Sequence, residues 1–148
     1  MIRLPKDFKE LLQLLNSSQI EYLVVGGYAV ALYGYPRATG DIDIWVAISK
    51  DNAHKIVEAL KKFGFNEPQL KEELFLEEDK NIRMGHPPLR IEILTSIDGV
   101  EFTECYGNKK TVTIDDIDID FISLEDLRKN KKVSGRYQDL ADLENLEK

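Results

Sequence analysis

Apolar positions recur every three to four residues at Phe8, Leu11, Leu12 and Leu15. They predict an amphipathic helix over residues 5–16, broken by Asn16-Ser17-Ser18. Tyr22-Leu23-Val24-Val25 is a short, β-prone apolar run and predicts a buried strand that Gly26-Gly27 ends. Small and apolar residues then return to helical spacing from Tyr28 to Tyr35, bounded by Gly34 and Pro36. Asp41 to Ile48 alternates polar and apolar before turning wholly apolar, which predicts a second strand. Ala53, Ile56, Val57 and Leu60 share one face of a helix from Asp51 to Phe63, with Ser49 or Asp51 as cap and Gly64 as stop.

Residues 67–79 are acidic and weakly periodic, a short helix and loop. Ile82 to Met84 and Leu89 to Leu94 predict a strand pair around Gly85-His86-Pro87-Pro88, and Lys110 to Ile114 and Ile117 to Phe121 two more strands. Ser123-Leu124-Glu125-Asp126 has the form of a capping box. Leu127, Leu140, Leu143 and Leu146 carry helical structure to the end, with a break at Ser134-Gly135. Short strands interleaved with helices predict an α/β (α+β) domain, one unit over 1–148, with a central mixed β-sheet flanked by helices and closed by C-terminal helices.

Composition narrows the setting. No stretch approaches the roughly 18 apolar residues of a membrane span, and charges interrupt the N-terminus before any signal-like apolar segment forms. With Cys105 alone there is no internal disulfide, so a reducing, cytoplasmic location is expected. A net charge of −7 argues against a general basic coat for nucleic acid, although a local basic groove remains compatible with it.

Three features bear on chemistry. Gly26-Gly27 sits at a strand-to-helix turn, where two glycines let backbone approach a ligand and the helix start offers N–H groups to phosphate; a plain tight turn is the simpler use. Asp41-Ile42-Asp43 places two carboxylates on one side of a strand. Like charges so close repel, and a hard divalent cation such as Mg²⁺ or Mn²⁺ relieves that; a solvated pair is the alternative. Glu92 is an acid within the apolar run Arg90-Ile91-Glu92-Ile93-Leu94. It is either paired with Arg90 or Arg37, or it is a third metal ligand on a neighbouring strand.

Together these residues resemble the nucleotidyltransferase superfamily typified by DNA polymerase beta. Val24-Val25-Gly26-Gly27-Tyr28-Ala29-Val30, Tyr33-Gly34-Tyr35-Pro36-Arg37-Ala38-Thr39-Gly40-Asp41-Ile42-Asp43 and Glu92 carry the likeness, most closely to its minimal bacterial members. Some of those are toxins of abortive-infection and toxin–antitoxin pairs. Lys131-Lys132-Val133-Ser134-Gly135-Arg136 and Asp139-Leu140-Ala141-Asp142-Leu143 resemble their tails. One position departs: the third acid is usually aspartate, and glutamate here is a methylene longer, which shifts metal geometry.

The resemblance implies metal-dependent transfer of a nucleoside monophosphate from a nucleoside triphosphate to an acceptor hydroxyl on an RNA 3′ end, a protein or a small molecule. Asp41, Asp43 and Glu92 would be catalytic and hold Mg²⁺ or Mn²⁺; Gly26, Gly27, Arg37, Lys131, Lys132 and Arg136 would bind the nucleotide. The alternative is a nucleotide-binding or partner-binding domain without catalysis, such as one half of a toxin–antitoxin pair. A chain this short leaves little room for an acceptor domain, so a second copy or a partner protein is expected to complete the acceptor site. Trp45 and Tyr28 are expected to pack in the core rather than stack on a base, His86 to be structural and Cys105 inert.

Overall fold

The computed structural model describes residues 3–34, 40–86 and 89–146. The first predicted helix is α1, Lys6–Ser17, and its predicted stripe of Phe8, Leu11, Leu12 and Leu15 is buried. All four residues of β1, Tyr22–Val25, are buried, as their continuous apolar run requires. Helix α2, Gly26–Leu32, begins two residues earlier than the apolar spacing suggests, so both glycines lie in its first turn. Strand β2, Asp41–Val46, is shorter than its apolar run: Ala47 leaves the ladder and donates its N–H to Glu21 O.

Ser49 caps α3, Lys50–Phe63, accepting from the Asn52 N–H at 3.1 Å, and Gly64 ends the helix at φ +121°. Buried Asn52 ties this helix start to the sheet, donating to Ala47 O and Glu21 O and accepting from Glu21 N. Within 67–79 only a 3₁₀ turn forms, Glu72–Phe75, with Phe75 buried.

The remaining elements are β3 (Asn81–His86), β4 (Leu89–Leu94), α4 (Phe102–Gly107), β5 (Lys110–Ile114), β6 (Ile117–Phe121), α5 (Leu124–Ser134) and α6 (Tyr137–Leu146). Ser123 caps α5 by accepting from the Asp126 N–H at 3.1 Å, and left-handed Gly135 (φ +67°) separates α5 from α6. Helix α4 is not legible in the hydrophobic pattern. It is one turn and a half long and inserts Cys105 into the core and Phe102 against Trp45.

The six strands form one mixed sheet in the order β3-β4-β2-β1-β6-β5. Strands β2 and β4 are parallel, as are β1 and β6, and the other neighbours are antiparallel. The sequence neighbours β2 and β3 are therefore separated by β4, which brings residues near 41 beside residues near 90. Trp45 is buried as expected, edge-on to Phe102 with its ring N–H donating to Thr95 O at 3.3 Å. Tyr28 packs edge-on against Phe8. Burial pushes the Cys105 thiol up to about 12, which keeps it protonated and unreactive. Among the described residues, no helix is long and apolar enough to cross a membrane.

Candidate active site

Sheet register assembles the site. In the parallel pair β2–β4, Asp41 lies opposite Arg90 and Asp43 opposite Glu92; in β3–β4, Glu92 lies opposite Arg83. One row across three strands thus reads Asp43, Glu92, Arg83, and the row beside it begins Asp41, Arg90. The expected arginine partner of Glu92 was Arg90 or Arg37. It is Arg83 instead, with Nε 3.6 Å from Oε1. Arg90 forks Asp41, its Nε 3.2 Å from Oδ1 and its second terminal nitrogen 3.4 Å from Oδ2. Arg37 lies outside the described residues.

Asp43 carries the unusual chemistry. Among the described residues, its Oδ1 is buried without a hydrogen-bond partner. Its carboxyl is pushed from 3.8 up to about 7. Burial is the largest cause, followed by the hydrogen bond that protonated Asp43 makes to Glu92, and then the charges of Glu92 and Asp41; the charge of Lys131 acts the other way. Among the described residues an ionised Asp43 has no positive partner at contact distance, and an orphaned carboxylate oxygen beside a second carboxylate is a donor set that suits a hard cation. Asp41 is turned to Arg90, and among the described residues no three acids, histidines or cysteines already converge on a metal position.

Gly26 is part of this environment for a steric reason. It has φ +67°, and a Cβ placed on it would sit 2.0 Å from Asp43 Oδ2. The glycine clears the space that the carboxylate fills. Gly26→Ala is expected to lower stability by about 1–3 kcal/mol from backbone strain alone and to move Asp43. A urea midpoint equal to wild type would show that neither constraint holds.

Gly26, Asp43, Glu92, Lys131 and Arg136 line one cleft of about 450 Å³ between the β2–β4–β3 side of the sheet and the α5–α6 hairpin. Among the described candidates, Asp41, Gly27 and Lys132 do not line it. Gly27 is buried in α2 and Lys132 is exposed outside the cleft.

The basic tail cluster divides. Lys131 is buried, 5% exposed, with Nζ 2.9 Å from Asp139 Oδ1 and 3.2 Å from Asp142 Oδ2. It is a clamp between α5 and α6 before it is anything else. Arg136 is exposed at the rim and donates to Asp139 Oδ2 at 2.9 Å. Burial alone would raise the Asp139 carboxyl. Hydrogen bonds from Ser134, Lys131 and Arg136 outweigh it and hold the group at about 2. Asn81, Ser96, Asp98, Asn130 and Gln138 also line the cleft. Sequence reasoning missed them because no motif links polar residues scattered over one strand, two helices and a loop.

The model of the aminoglycoside-2''-adenylyltransferase family matches residues 7–135, most of the chain. The chain belongs to that family. No curated protein sequence matches it significantly. Its fold is shared with lincomycin-bound lincosamide antibiotic adenylyltransferase LnuA, at 18% identity and TM-score 0.60, over 97% of this chain and 96% of that one. A Thermotoga maritima protein assigned as a nucleotidyltransferase gives 19% identity and TM-score 0.57, over 95% and 86%. The enzyme ANT(2'')-Ia, in complex with adenylyl-2''-tobramycin, gives 11% and 0.54, over 94% and 84%. The mixed sheet of this adenylyltransferase-family chain is accordingly the nucleotidyltransferase fold. The matched segment contains Gly26, Asp41, Asp43, Glu92 and Lys131, whereas Arg136 and all of α6 lie beyond it.

Proposed function

We propose that this protein transfers a nucleoside monophosphate from a nucleoside triphosphate to a hydroxyl of a small polar molecule. The observation that carries the reading is the orphaned Asp43 carboxylate in register beside Glu92, at the wall of a cleft sized for small ligands. The family match supports the transfer, and the neutral polar lining of Asn81, Ser96, Asn130 and Gln138 supports a hydroxyl-bearing acceptor.

Asp43 and Glu92, joined by Asp41, would hold a divalent cation, Mg²⁺ or Mn²⁺, which supplies charge neutralisation at the reacting phosphate. Glu92 would take the proton of the acceptor hydroxyl as that oxygen bonds to the α-phosphorus. The bond from the α-phosphorus to the β-phosphate oxygen breaks, and pyrophosphate leaves. Arg83 and Arg136, exposed at opposite walls of the cleft, offer charge-assisted donors to the phosphates. Lys131 contributes its charge from within the wall and keeps that wall in place. Most of the catalytic effect in such a site comes from positioning and electrostatics.

The test is transfer from each of four α-labelled nucleoside triphosphates with Mg²⁺ or Mn²⁺. The acceptors are an aminoglycoside, a lincosamide, a structured RNA and a cell lysate. Label is expected on a small molecule, and to vanish without divalent cation. Label on RNA or protein alone would reassign the acceptor, and no label on any acceptor would remove the enzymatic reading.

A further inference from the structure

We propose that Arg90 is a placeholder cation for the metal site, holding Asp41 out of the ligand group until a divalent ion displaces it. This inference rests on the metal-binding part of the reading above. Three observations support it. The Arg90 guanidinium meets both oxygens of Asp41, at 3.2 and 3.4 Å. Asp41 is on the same face of β2 as Asp43, two residues away. Among the described residues, the three acids do not form a ready ligand group in this arrangement.

The strand register explains why Arg90 holds this place. Asp41 and Arg90 are direct neighbours on parallel strands, and the Arg90 N–H is bonded to Gly40 O, so backbone pairing sets the guanidinium stem beside the carboxylate. Three acids on adjacent positions with no cation would repel one another. The fork neutralises one of them. Magnitudes decide that the fork can yield. Both side chains are about two-fifths exposed, 41% for Arg90 and 37% for Asp41, and pairs this exposed to water contribute little. A dication facing three carboxylates gains more than that, so the exchange of Arg90 for metal runs toward the metal once it is present. Arg90 therefore sets the metal concentration at which the site assembles.

The experiment measures Mn²⁺ binding to the full chain without nucleotide, from the electron paramagnetic resonance signal of free Mn²⁺. It compares wild type, Arg90→Gln, Asp41→Asn, the double variant of these two and Asp43→Asn, each checked for folding by circular dichroism. Arg90→Gln is expected to bind Mn²⁺ a few-fold more tightly, up to about fivefold, the scale of one exposed ion pair. In the Asp41→Asn background the same change is expected to do nothing, because the partner it releases is gone. Equal affinity in wild type and Arg90→Gln would overturn the inference. A gain that persists without Asp41 would overturn it too, since it would report only the removal of a nearby positive charge. If neither protein binds Mn²⁺, the metal reading falls along with it. Binding that is lost in Asp43→Asn yet indifferent to Arg90 sinks this inference alone.

Discussion

Asp43→Asn should slow nucleotidyl transfer by about 10³-fold while making the metal-free fold more stable at neutral pH. The two effects have one origin. Asp43 is held at about 7 against an ordinary 3.8, so the folded protein retains a proton that the unfolded chain has released. For an acid raised in the fold, stability is greatest below the unfolded value. It falls as pH climbs from about 4 to about 7, and is level above that. The cost at pH 8 is roughly 2–4 kcal/mol. The amide of the variant carries no charge and can donate to Glu92, so that slope should flatten. Urea unfolding of metal-free protein between pH 4 and 8 reads the slope, and initial-rate assays with saturating metal read the loss of transfer. A variant that transfers at the wild-type rate would place Asp43 outside the chemistry. An unchanged pH slope would locate the excess proton elsewhere.

This opposition between function and stability explains why the site residues were visible in the sequence at all. Asp43 and Glu92 interrupt runs that are otherwise apolar, and nothing in β2 or β4 alone needs them. Periodicity located α1, α3 and most strands because each buries a face that local spacing reveals. It missed α4, whose six residues offer only Phe102, Cys105 and Tyr106 as a signal. It also started α2 late, because a left-handed Gly26 reads as a turn although it opens the helix.

Partner choice was the least legible feature. Whether Glu92 meets Arg83, Arg90 or Arg37 depends on inserting β4 between β2 and β3, a register between distant segments that no local pattern encodes. The same limit applies to Lys131, which looks like one member of an exposed basic run until α6 folds back and brings two acids to it. Lys132, next in sequence, stays exposed because the helix turns it away.

Lys131→Met is expected to cost about 3–5 kcal/mol of stability, as much as a large cavity in the core. The ammonium is the shared partner of Asp139 and Asp142, whose side chains are 8% and 3% exposed, and its removal leaves two carboxylates facing each other in a buried seam between α5 and α6. Methionine fills the volume but supplies no charge, so the loss measures the uncompensated acids rather than a void. Arg136 and Ser134 still reach Asp139, and Gln138 donates to Asp142 at 3.0 Å, which sets the lower end of the range. The Asp139 carboxyl is held at about 2, below its ordinary 3.8. Its contribution is therefore complete above about pH 4 and is lost as pH falls toward 2, so the difference between wild type and Lys131→Met should shrink in acid. Adding Asp142→Asn to Lys131→Met should recover part of the loss, because one buried charge disappears. A urea midpoint in Lys131→Met equal to wild type would mean that α6 is not held through this residue, and the cleft wall would need another anchor.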